Sequence, residues 1–202
     1  MGKPLRYAAS CLLGLFLGVI IGAFAFVRSD SNSSAFVEEV DNNADSIADS
    51  KFYYDSGFII KTEYDRNFDQ KWDLVESFKD GAITTAETDD DFDGKMDGWL
   101  EYEHGNVLIA KYDYDKNGVP DVSSHFKFGV LNLSVWRPNN QKTITRLELF
   151  VDGQKSRTYV DSDGNDLFDT LLQFDEMENL RSTEKLSSEM PPKSILENRL
   201  RR

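Results

Sequence analysis

A spacing of 24 residues constrains this chain more than any other feature. Asp65, Asp89, Asp113 and Asp161 open similar Asp-rich runs, separated by 24, 24 and 48 residues, and Asp41 and Arg137 fall in the same register. Six units result: 41–64, 65–88, 89–112, 113–136, 137–160 and 161–184. Position 9 of the unit reads Asp49, Asp73, Asp97, Asp121, Thr145, Asp169. Position 14 is always aromatic: Tyr54, Phe78, Tyr102, Phe126, Phe150, Phe174. Position 17 is Gly57, Gly81, Gly105, Gly129 and Gly153, then Met177. A fixed period of this length means stacked copies of one supersecondary unit.

The unit reads as a β-hairpin. An Asp/Asn-rich loop fills positions 1–9, a strand covers about 10–15, a two-residue turn falls at 16–17 and a second strand covers about 18–24. Asp80-Gly81 and Asp152-Gly153 suit a type I′ turn, which needs positive φ at both central residues. A two-residue turn sets position 14 opposite 19, giving Tyr54–Ile59, Phe78–Ile83, Tyr102–Val107 and Phe126–Leu131, all favourable cross-strand pairs. The fifth and sixth units degrade to Phe150–Lys155 and Phe174–Asn179, so the array is expected to weaken or cap towards its C-terminus. The same geometry sets position 12 opposite 21, as Leu100–Ile109 and Phe52–Lys61. The expected fold is all-β: an antiparallel meander of six hairpins over 41–184, preceded by one N-terminal transmembrane helix.

The loops carry the candidate ligands. Ca²⁺ takes six to eight oxygens, and an EF-hand-type loop supplies them from positions 1, 3, 5 and 9 and the carbonyl of 7, with Gly at 6 for the turn. Unit 3 offers Asp89, Asp91, Asp93, the Lys95 carbonyl and Asp97, with Gly94 in place. Unit 4 offers Asp113, Asp115, Asn117 and Asp121, with Gly118. Unit 2 has Asp65, Asn67, Asp69 and Asp73, with Glu76 at position 12, but Gln70 replaces the glycine. Unit 6 has Asp161, Asp163, Asn165 and Asp169, with Gly164 two residues early. Unit 1 (Asp41, Asn43, Asp45, Asp49) has no glycine, and unit 5 has lost its carboxylates. Tight solvated loops use Asp, Asn and Gly without any metal. Against that, carboxylates so close together repel unless a cation compensates them.

The run Asp89–Asp97 resembles the calcium loops of EF-hand, dockerin and thrombospondin type 3 repeats. The hairpin with its aromatic and glycine resembles MORN-type repeats and the aspartate-rich repeats of bacterial surface and periplasmic proteins. The resemblance spans about 41–184 and implies a calcium-binding repeat module. It departs from an EF-hand in two respects: no helices flank the loops, and position 12 is Glu only in unit 2. Weak sites that rigidify the array are therefore expected.

Outside the repeats, Lys3 and Arg6 precede an uncharged run from Tyr7 to Val27, long enough for a membrane-spanning helix. Residues 1–28 read as a signal anchor of the inner membrane with the rest of the chain periplasmic or extracellular. The alternative is a signal peptide cleaved near Ala25 and a secreted product. Gly14, Gly18 and Gly22 would line one helix face and permit a homo-oligomer. Residues 29–40 read as linker and 185–202 as a basic tail, a short helix or unstructured. The region 41–184 holds 15 Lys+Arg against 31 Asp+Glu, which repels nucleic acid and anionic lipid. The lone Cys11 permits no intrachain disulfide. No nucleophile, phosphate loop or Cys/His metal set appears, and His104 and His125 stand apart, so no enzyme is expected. A metal-independent alternative remains, in which the sheet, with Trp99, Trp136 and Tyr112 taken as exposed, binds a protein or glycan.

Overall fold

The computed structural model describes Phe26–Val27 and residues 35–138 and 143–200. Fourteen strands form one sheet in strict chain order. They are β1 (Phe26–Val27), β2 (Phe36–Val40), β3 (Ser50–Asp55), β4 (Phe58–Tyr64), β5 (Leu74–Lys79), β6 (Ala82–Thr88) and β7 (Gly98–Glu103). The sheet continues with β8 (Asn106–Tyr112), β9 (Val122–Lys127), β10 (Val130–Trp136), β11 (Arg146–Val151), β12 (Gln154–Val160), β13 (Phe168–Phe174) and β14 (Leu180–Met190), and a helix α1 (Pro192–Leu200) follows. All pairings are antiparallel. A meander of this kind gathers the Asp-rich loops at one end of the strands and the tight turns at the other.

Each tight turn of units 1–5 has two residues with positive φ, for example Asp80 (52°) before Gly81 (78°) and Phe128 (52°) before Gly129 (77°). Paired positive φ is the type I′ geometry, whose twist matches that of the flanking strands. Position 14 pairs with 19 in all five, including Phe126↔Leu131 and Phe150↔Lys155. One strand residue later the ladder slips. Leu100 faces Ala110, not Ile109, and Phe52 faces Thr62, not Lys61. The reason is a β-bulge after each turn, which leaves position 20 without a partner and shifts every later pair by one. In unit 6 Phe174 faces Leu180 instead of Asn179. There the Asp175 carboxylate accepts the Met177 and Asn179 amides, both at 2.9 Å, and holds a longer turn that needs no glycine.

The two faces of the sheet differ. On one, position 22 is small and buried in units 1–5 (Thr62, Ala86, Ala110, Ser134, Thr158). On the other, units 1–3 carry charge: Lys61 pairs with Glu63 at 2.6 Å and Lys111 with Glu101 at 2.7 Å. In units 4 and 5 this second face turns apolar, with Leu133, Val135, Leu147 and Leu149 clustering with Phe168. Ile195 and Leu196 of α1 pack against that cluster. Of the expected weakening or capping towards the C-terminus, the structure has a cap: the buried hydrophobic cluster of the described residues lies there and the tail folds back as its cover.

The expected architecture with a leading transmembrane helix is also corrected. No helix among the described residues is long and apolar enough to cross a membrane. Phe26 and Val27, the last residues of the apolar run, are strand, pairing Phe26↔Glu39 and Val27↔Glu38. The rest of that run, with Gly14, Gly18 and Gly22, lies outside the described residues. Phe36–Val40, read as linker, is strand β2 and pairs with β3. The tail extends β14 to Met190 and then forms α1.

Two outcomes follow. Leu147 has no exposed surface, so Leu147→Ala should cost about 2–5 kcal/mol by urea unfolding, the range for a cavity in a core that cannot collapse. Tyr53 donates to Glu63 at 2.6 Å, and burial, that hydrogen bond and the Glu63 charge push its hydroxyl up to about 12. The neutral phenol is favoured on folding, so this contribution is fully present below pH ~10 and lost as pH rises through about 12. Burial also raises Tyr54, Tyr64 and Tyr102, so phenolate absorbance should show a late-titrating group of tyrosines, and Glu63→Gln should bring the Tyr53 part of it down.

Candidate metal centre

The loops are built from carboxylates that capture backbone amides. Position 1 reaches forward: Asp113 accepts from Asn117 (3.2 Å) and Gly118 (2.5 Å), and Asp65 from Phe68 (2.7 Å) and Gln70 (2.7 Å). Position 9 reaches back: Asp121 accepts from Tyr114 (2.8 Å) and Asp115 (3.0 Å). Positions 3 and 5 each accept the amide two residues on, as with Asp91 from Asp93 (3.2 Å) and Asp93 from Lys95 (2.9 Å). Asn117 and Asn165 do the same for Val119 and Leu167, both at 2.9 Å. These are Asx turns in series, each a side chain standing in for backbone.

Positions 4 and 6 both adopt positive φ: Phe92 and Gly94 in loop 3, Lys116 and Gly118 in loop 4, Phe68 and Gln70 in loop 2, Gly164 and Asp166 in loop 6. Gln70, at 71°, holds the conformation that glycine holds elsewhere. Gly164 is not misplaced; it occupies the other left-handed position. Loop 1 follows with Ala44 (64°) and Ser46 (74°).

In three loops the carboxylates converge. Asp89, Asp91 and Asp97, then Asp113, Asp115 and Asp121, then Asp161, Asp163 and Asp169 offer oxygens that lie within 4.8 Å of one another in each triad. Any of the three could hold a metal ion, and an all-oxygen donor set fits a hard divalent cation. Asp89, Asp113 and Asp161 are buried while Asp91, Asp115 and Asp163 face solvent, so each triad has a fixed inner ligand and an open outer side. Glu76 does not join loop 2. It lies in β5 and accepts a hydrogen bond from Thr62 Oγ1 at 2.9 Å.

Cations of the protein already surround loop 3. Lys116 of loop 4 pairs with Asp91, holding its carboxyl below the usual range. Arg66 of loop 2 reaches Asp90 Oδ1 at 3.2 Å and the Asp89 carbonyl at 2.7 Å, with its guanidinium over the Phe92 ring. Burial, with Asp90, Asp91 and Asp89 adding, raises the Asp97 carboxyl. A recess of about 30 Å³ between loops 3 and 4 is lined by Asp91, Asp93, Asp97, Asp113 and Lys116. In loop 6 the Ser162 and Thr170 hydroxyls, with Lys185 at 3.7 Å, lower Asp169 to about 2. Spacing alone does not reveal the cations Arg66, Lys116 and Lys185, because each comes from a neighbouring loop or strand.

The residues expected to form an exposed platform are half-buried. Trp136 donates to Glu148 at 3.1 Å and lies under Arg146, 3.9 Å from the ring centre. Tyr114 stacks between it and Tyr112. Of the histidines, His104 sits in a turn at φ 51° and His125 is partly buried in β9, which lowers its pKa.

No protein-family model matches the chain, and no curated protein matches it either. Fold and loops define a class: a β-hairpin meander with acidic, carboxylate-knit loops gathered at one end of its strands.

The amide bonds predict a separation of roles in metal-free protein. Asp121→Ala orphans two loop amides and should cost about 1–3 kcal/mol in chelator-treated urea unfolding. Asp115→Ala, on the solvent side, should cost less than about 1 kcal/mol.

Proposed function

We propose that this chain is a non-enzymatic calcium-binding repeat module whose ions rigidify the loop end of the sheet, leaving the sheet as a structural or interaction platform. The observation that carries this reading is recurrence: the same three register positions, 1, 3 and 9, bring carboxylates together in loops 3, 4 and 6. Asp89, Asp91, Asp93, the Lys95 carbonyl and Asp97 would hold an ion in loop 3. Asp113, Asp115, Asn117 and Asp121 would do so in loop 4, and Asp161, Asp163, Asn165 and Asp169 in loop 6. With no bidentate acid at position 12, affinity belongs with extracellular modules, at roughly 10⁻⁴–10⁻³ M. Sites this weak suit an exported protein.

A second reading is metal-independent binding of a protein or glycan partner. Lys116 and Arg66 favour it, since they already supply loop 3 with counter-charge.

Calcium titration by calorimetry, with thermal unfolding alongside, separates the two. At ten times Kd each loaded site adds about 1.4 kcal/mol to stability. Asp91→Asn, Asp115→Asn and Asp163→Asn together should remove most of the binding heat while leaving the metal-free melting temperature nearly unchanged. Absence of both heat and thermal shift at millimolar calcium would leave the metal-independent reading standing alone.

A further inference from the structure

Loop 2 lacks a converging triad because Asn67 stands at position 3, yet it contains a carboxylate that the protein itself leaves incomplete. Asp73 is only 1% exposed. Its Oδ2 accepts the amides of Arg66 (2.6 Å) and Asn67 (3.2 Å), the second and third residues of the loop, so the carboxylate points into the loop. Its Oδ1 is buried and meets no donor, the one carboxylate oxygen of this kind among the described residues. A buried unpaired carboxylate oxygen is costly and calls for a partner.

Loops 1, 3 and 6 satisfy the equivalent group internally. In loop 1 the Asn43 side-chain amide donates to Asp49 Oδ1 at 3.4 Å and to Asp45 at 3.1 Å. In loop 3 the Asp90 amide lies within reach of both Asp97 oxygens, at 3.4 and 3.2 Å. In loop 6 Ser162 and Thr170 hydroxyls serve Asp169 Oδ1. In loop 2 the nearby guanidinium is committed elsewhere: Arg66 donates to the Asp73 carbonyl, Thr88 Oγ1, the Asp89 carbonyl and Asp90. Lys71 lies 3.6 Å from Asp69, on the exposed side of the loop.

We infer that loop 2 is a further divalent-cation site, with Asp73 Oδ1 as its buried ligand and Asp65, Asp69 and the Asn67 side-chain oxygen completing the set. This rests on the calcium reading of the neighbouring loops but not on their occupancy. Gln70 holds the loop in the backbone conformation of Gly94 and Gly118, so the missing glycine is no barrier. The donors are carboxylates and an amide oxygen, which selects a hard ion such as Ca²⁺.

Trp72 lies in the same loop and provides the readout. The full chain is titrated with Tb³⁺ alone, exciting where only tryptophan absorbs, and then back-titrated with Ca²⁺. Trp72→Phe should remove part of the sensitised emission, and that part belongs to loop 2. Asp69→Asn, an exposed change that keeps the oxygen facing the Lys71 amide, should weaken the midpoint of that part at least tenfold. Asp73→Asn should do the same. Emission indifferent to Trp72→Phe, or a loop 2 midpoint untouched by both Asn variants, would overturn the inference. Calorimetric heat from loops 3, 4 and 6 persisting in that case would leave the wider calcium reading intact. Loop 2 emission that survives when Asp91→Asn, Asp115→Asn and Asp163→Asn change no heat would support this site and sink the triads instead.

Discussion

The structure depends on a carboxylate that fastens loop to sheet. Position 9 does two things at once. Its backbone amide continues the ladder, as when Asp73 donates to the Tyr64 carbonyl and Asp121 to the Tyr112 carbonyl, each at 2.8 Å. Its side chain turns back and binds the amides of positions 2 and 3. Position 1 extends the ladder from the other side, with Asp65 donating to the Asp49 carbonyl and Asp89 to the Asp73 carbonyl, both at 2.8 Å. A nine-residue loop would otherwise leave many amides without partners at the end of a sheet. Here two acids at fixed register positions absorb several of them in units 1–4 and 6, while unit 5, with Arg137 and Thr145 at those positions, keeps the backbone bonds to the Asp121 and Trp136 carbonyls.

That fastening also concentrates charge. An acid needed for folding at positions 1 and 9 needs only one more at position 3 to become a ligand triad. Asp89, Asp113 and Asp161 are buried because they hold the loop together, and burial fixes their oxygens before any ion arrives. Preorganisation of this kind favours binding, while the mutual repulsion of the carboxylates weakens the metal-free loop. Fold and candidate chemistry thus draw on the same side chains, and the solvent-side acids Asp91, Asp115 and Asp163 are where the two roles separate.

Much of the hairpin plan was legible because each element announces itself by type: a glycine at position 17, an aromatic at 14, acids at 1 and 9. The bulge was not, because the skipped residue has no signature; Ile60, Thr84, Leu108, Asn132 and Ser156 share nothing but their place. The small buried column of Thr62, Ala86, Ala110, Ser134 and Thr158 went unread for a related reason, since small residues mark no period. Gln70 departs from the loop pattern only in that glycine is the usual occupant of positive φ, a conformation other residues also take. The role of α1 was hidden because its sequence is mostly polar; Ile195 and Leu196 gain meaning only beside Leu147 and Leu149.

What distinguishes one loop from the next is where the partners of its carboxylates come from. Loop 3 borrows Lys116 and Arg66, loop 6 combines its own Ser162 with Thr170 and Lys185 of the strands β13 and β14, and loop 1 uses its own Asn43. An internal cation lowers the repulsion that a bound ion would relieve, so it stabilises the empty loop and competes with the metal. Lys116 makes this competition non-local: it sits in loop 4 but serves Asp91 of loop 3. An ion in loop 3 would compete with that lysine, which itself belongs to the loop whose triad is Asp113, Asp115 and Asp121. Neighbouring loops are therefore linked by charge as well as by the ladder bonds that run from one unit to the next. The most acidic loop by composition, 89–97, is for the same reason not automatically the tightest site.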